Sequence, residues 1–140
     1  MMKFRFLDGV VSSSSDGEAK VVTHVTFPQS EDYLATPFHE AAQVPSTIVL
    51  EAMAASGGRL IELVSENRAV GLMIKVDEAT FIAPVCAGER MLIHSELLGM
   101  QHRDGLKVGL ARTRSQAFVA DRTVAEARIA FLCLPMKRSR

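Results

Sequence analysis

The spacing of apolar residues along the chain changes from strand-like to helical and back to strand-like. Phe4 and Phe6 alternate with Lys3 and Arg5, and Ala19, Val21, Thr23, Val25 and Phe27 alternate with Lys20, His24 and Thr26. A period of two puts one set of side chains on a buried face, so both stretches read as strands. The polar run Ser12–Glu18 between them reads as a turn. His24 falls on the polar side of the alternation and is set aside as a site residue.

Pro28, Pro37 and Pro45 punctuate an irregular stretch from Tyr33 to Val44. Ser46 or Thr47 is then a candidate helix N-cap. The helix predicted from there runs to about Val64 and is apolar over most of its circumference. Such a helix is surrounded by protein on nearly every side. Gly57 and Gly58 fall in its middle, where each glycine costs about 1 kcal/mol against alanine. Close packing or ligand access must offset that cost.

After "ENR" (Glu66–Arg68) the pattern is extended again, over Ala69–Val76, Ala79–Pro84, Met91–Met100 and Leu106–Val119, with turns at His102–Gly105 and Ala120–Thr123. The last strand alternates clearly: Ala125, Ala127, Ile129, Phe131 and Cys133 face one way, Glu126 and Arg128 the other. A β-hairpin, one long helix and a run of antiparallel strands predict an α+β fold, with the helix on one face of a curved sheet.

Composition narrows the function classes. The 140 residues fit one domain, 1–140, with one core. Lys+Arg and Asp+Glu are both 16, so there is no electrostatic case for nucleic acid or an anionic membrane. Cys86 and Cys133 are isolated, and no histidine pair has helical ligand spacing, so neither metal nor cofactor is expected. The N-terminus is too short and too charged for a signal peptide, and a cytoplasmic protein is expected.

One residue resists this ordinary reading. Between Ala41 and Gly58 the only charged side chain is Glu51, set among Ile48, Val49, Leu50, Ala52, Met53, Ala54 and Ala55. A carboxylate buried there needs a partner or a use. Apolar burial would raise its pKa and let it act as an acid near neutrality.

"YLATPFHEAAQVPSTIVLEAMAAS" (Tyr33–Ser56) and "KVDEATFIAPVCAGERM" (Lys75–Met91) carry a resemblance. They are similar to segments of the hot-dog-fold thioester dehydratases, the β-hydroxyacyl-(acyl-carrier-protein) dehydratases of FabZ and FabA type. The first follows, without a gap, a frame of an aromatic pair, G-H-F-P, x-x-P-(V/I)-x-P-G and an apolar run ending E-A-M-A-Q. "LEAMA" (Leu50–Ala54) matches directly. The resemblance spans Phe4 to Leu134 and implies a hot-dog fold, a long central helix wrapped by a curved antiparallel sheet. It implies Glu51 as the catalytic acid, helix-terminal N–H groups polarising a thioester carbonyl, and a site shared across a dimer. Pro45, Ser46 and Ala55 would then bind substrate, an acyl thioester carried by acyl carrier protein or coenzyme A.

The chain departs from the frame where the base belongs. Pro37 stands at the catalytic histidine, Thr36 at the preceding glycine and His39 at the following proline. Proline has neither a titratable side chain nor an N–H. His39 is the candidate displaced base, although two residues of extended chain move a side chain about 6–7 Å. A surface histidine beside Glu40 is the plainer reading. Three functions fit: a FabZ-like dehydratase with an altered site, as a homodimer or higher oligomer or completed by a paralogous dehydratase in a heterodimer; a hot-dog acyl thioesterase using Glu51; and a non-catalytic acyl-thioester binding module.

Overall fold

The computed structural model describes residues 6–14, 18–28, 43–102 and 109–136. The expected first strand around Phe4, the loop bearing Thr36, Pro37 and His39, and the turn after His102 lie outside the described residues. Strand β1 (Gly9–Ser14) pairs antiparallel with β2 (Lys20–Thr26). Ser12–Ser14, expected in a turn, are therefore strand. They form an exposed sheet edge, where polar side chains meet no burial cost.

Helix α1 (Ser46–Val64) follows, and then β3 (Ala69–Phe81), β4 (Arg90–His102), β5 (Gly109–Val119) and β6 (Arg122–Pro135). The expected break at Asp77–Glu78 is absent. β3 crosses it as one strand, with register shifts between Met73 and Lys75 and between Val76 and Glu78. The sheet order is β1-β2-β4-β5-β6-β3, with every pairing antiparallel. Among the described residues, one helix lies against this curved six-stranded sheet, as the alternation predicted.

The core sits between helix and sheet. Ala125, Ala127, Ile129, Phe131 and Cys133 all point into it, matching the period-two reading of β6. Val49, Ala52, Met53, Ala54, Ser56, Gly57, Leu60 and Ile61 are the helix's contribution. These recur at helical spacing, so a single face of α1 is buried. The expectation of a helix enclosed on nearly every side is corrected accordingly. Thr47, Glu51 and Arg59 are exposed.

Small polar side chains hold the buried face to the sheet. Thr23 Oγ1 donates to Ser56 Oγ at 2.8 Å, and Ser95 Oγ donates to the same oxygen at 2.8 Å. Ser115 Oγ lies 2.7 Å from Ser95 Oγ and 3.5 Å from the Met53 carbonyl. The hydroxyls of β2, β4 and β5 thus satisfy one another beneath the helix, as buried polar groups must. Thr113 Oγ1 is buried beside them without a hydrogen-bond partner.

The two edges of the sheet differ. β1 has six residues and a polar end, whereas β3 has thirteen and exposes Val70, Leu72, Ile74 and Phe81. Among the described residues, no helix is long and apolar enough to cross a membrane.

Candidate functional site

α1 begins without a side-chain cap. Pro45 is the N-cap residue and Ser46 is already helical, so the expected hydroxyl cap is not formed. The Ile48 and Val49 amides reach the Pro45 carbonyl at 2.9 and 3.2 Å. No acid sits in the first turn. Uncompensated N–H donors at that end make it the positive pole of the helix.

Glu51 lies in the second turn and is exposed, which corrects its expected burial among apolar side chains. Its position is still distinctive. Glu51, Ala54, Ala55, Gly58, Arg59 and Glu62 share one helical stripe, and that stripe forms one wall of a groove of about 350 Å³. Gly71 and Met73 of β3, Phe131 of β6, and Phe6 and Leu7 complete the lining. Glu51 stands towards the N-terminal end. At the far end Arg59 Nη1 donates to Glu62 Oε2 at 2.8 Å. The helical rise separates Glu51 from Arg59 by about 12 Å. The walls between them are apolar or bare backbone.

The structure therefore brings Glu51 and Ala55 together. Pro45 and Ser46 lie at the start of the helix, outside the groove lining. His39 is outside the described residues. Sequence reasoning missed Arg59, Glu62, Gly71 and Met73. The first two were available from the helical repeat, since 51, 55, 59 and 62 fall on one face. The β3 residues needed the β3–β6 pairing, which sequence spacing does not reveal.

Other candidate chemistry is structural. His94 packs edge-on against Phe118, with ring centroids 5.0 Å apart. The Cys86 amide donates to Glu89 Oε1 at 2.8 Å in a turn. Burial pushes the Cys133 thiol above its ordinary range, away from the reactive thiolate. Among the described residues, no group of His, Cys, Asp and Glu is arranged to hold a metal.

Comparison with known proteins matches this architecture. A 3-hydroxyacyl-[acyl-carrier-protein] dehydratase FabZ of Bartonella henselae is 31% identical over 133 residues, covering 94% of this chain and 81% of the relative. The chain belongs to the hot-dog-fold thioesterase/dehydratase family. A FabZ of Chlamydia muridarum is 25% identical over 132 residues, covering 92% of this chain and 82% of its own. No family model matches. Among solved structures, a putative thioesterase from Lactococcus lactis superposes with a TM-score of 0.68 at 11% identity, covering 91% of this chain and 94% of that one. A thioesterase from Haemophilus influenzae superposes with a TM-score of 0.61 at 10% identity, covering 92% and 80%. At those identities the structural likeness speaks to fold alone.

Proposed function

We propose that this hot-dog protein binds 3-hydroxyacyl thioesters of acyl carrier protein or coenzyme A with Glu51 at the reacting end of the groove, and that it is a FabZ-like dehydratase with an altered site. The observation that carries the reading is Glu51 itself. It is the acid of the matching "LEAMA" segment, and it lines a groove that runs along the helix from near its uncapped N-terminus. Dehydration takes a proton from the α-carbon, forms the α,β double bond and expels the β-hydroxyl as water. Glu51 is the group to protonate the departing oxygen once bound substrate and a partner on the β3 edge shut water away from it, and the helix N-terminus is the pole towards which the thioester carbonyl would turn. The base is missing, because Pro37 occupies its position. General base catalysis is worth about 10²–10⁴-fold, so the chain alone should dehydrate slowly by that factor.

The long apolar edge of β3 supports a dimer. An unpaired strand edge is readily extended by a second chain. β3 also forms one wall of the groove through Gly71 and Met73, so a partner on that edge would stand beside Glu51. The partner is a second copy or a paralogous dehydratase that supplies a histidine. The direct test is an enoyl-thioester assay. Pro37→His should raise the rate towards that of an intact relative, and adding Glu51→Gln should remove the gain. Full-rate dehydration by the wild-type chain alone would overturn the altered-site reading, and its loss in His39→Ala would identify the displaced base.

One observation favours a second reading, acyl-thioester hydrolysis. Glu51 is open to solvent, so water can stand against it. There it would take a proton from the water that adds to the carbonyl, and the thiol would leave. Free acid plus thiol in place of enoyl thioester would select this reading.

A further inference from the structure

The two adjacent glycines of α1 stand in different surroundings. A Cβ built on Gly57 would meet Phe131 Cζ and Thr113 Oγ1, each at 2.9 Å, so packing alone requires a glycine there. Among the described residues, a Cβ on Gly58 would find only the Gly71 carbonyl, at 3.9 Å. Its φ lies outside the left-handed region, so the backbone does not require glycine either. Among the described residues, nothing accounts for a glycine that weakens the helix here. What Gly58 does is leave bare backbone in the wall of the groove, between Glu51 and the Arg59–Glu62 pair.

The far end has the opposite character. Arg59 is held by Glu62 at 2.8 Å, and its side chain is 44% exposed. A paired, hydrated guanidinium is no socket for a carboxylate. It is also poor company for a methylene chain, which gains nothing by displacing that water. The apolar path from Glu51 therefore ends about 12 Å along the helix.

We propose that Gly58 is the acyl-length determinant of the groove: its missing side chain lets a medium-length acyl chain run from Glu51 along α1, and the Arg59–Glu62 pair ends that run. This rests on the acyl-thioester reading above, and it adds a chain-length class and the residue that sets it. A methyl group at position 58 would stand in the path of a medium chain and beyond the end of a short one. One methyl in an apolar pocket discriminates by about 10–200-fold.

The test uses butyryl, dodecanoyl and palmitoyl pantetheine analogues in which a methylene replaces sulfur, so that binding is read without turnover. The wild-type protein should bind the dodecanoyl analogue about tenfold more tightly than the butyryl one, with no further gain for palmitoyl. Gly58→Ala should leave butyryl binding within about twofold and weaken dodecanoyl binding about tenfold. A raised melting temperature of the ligand-free variant would show that it is folded. Equal effects on all three analogues, or none, would overturn the length assignment and leave the acyl-thioester reading standing. So would palmitoyl binding far more tightly than dodecanoyl. A wild-type protein that binds none of the three would overturn the acyl-thioester reading and this inference together.

Discussion

Gly57 and Gly58 are neighbours in sequence and opposites in surroundings. Gly57 lets the helix settle onto Phe131 and Thr113, among hydroxyls that satisfy one another. Gly58 looks outwards over a groove that holds Glu51. One face of α1 is explained by the fold of the protomer. The other carries a carboxylate, bare backbone and an ion pair that the packing of the described residues does not require. Where a residue cannot be explained by folding, its explanation has to come from something that binds.

Substitutions on the two faces should therefore separate cleanly. Met53 is completely buried, and Met53→Ala should cost about 2–5 kcal/mol, measured as a lower midpoint in urea unfolding. The adjacent glycines offer the sharper contrast. Gly57→Ala drives a methyl into Phe131 and Thr113, and overpacking of about 1–3 kcal/mol should exceed the gain in helix propensity. Gly58→Ala meets no such obstacle and should gain up to about 1 kcal/mol. Melting curves of the two variants should move in opposite directions, and a shift in the same direction would dissolve the distinction between the faces.

Thr113→Val keeps the shape of the side chain and removes an unpartnered buried hydroxyl. It should stabilise by about 1 kcal/mol, since a buried unsatisfied donor is unfavourable. The smallest stability change belongs to Glu51→Gln, which should stay within about 0.5 kcal/mol because the side chain is exposed. Any activity on acyl thioesters should nevertheless disappear with it. A large loss of stability would mark Glu51 as structural.

Much of this division was legible in the sequence, and the reason is periodicity. The alternation of β6 identified five residues that point into the core, and the helix over 46–64 was visible from its apolar density. Glu51 was conspicuous as a lone charge and matched the family segment directly. Its degree of burial was not legible. Alanines and a glycine on both sides of a helix read alike, whether they touch a sheet or line a groove. The edge strand at 9–14 was hidden because exposed serines carry no apolar alternation. The helix start was misread because Ser46 and Thr47 resemble caps, while Pro45 occupies that position with its carbonyl alone. Sequence spacing also could not bring Gly71 and Met73 beside α1, since only the sheet order does that.

The central claim is that the outward face of α1 holds an acyl thioester, and mapping of backbone amide shifts on titration with the dodecanoyl pantetheine analogue tests it most directly. The account predicts shifts concentrated at Glu51, Ala54, Ala55, Gly58 and Gly71, with the amides of the buried Thr113 and Ser115 little disturbed. Shifts centred instead on the outer sheet surface around Leu98 and Leu110, or none at saturating analogue, would contradict it.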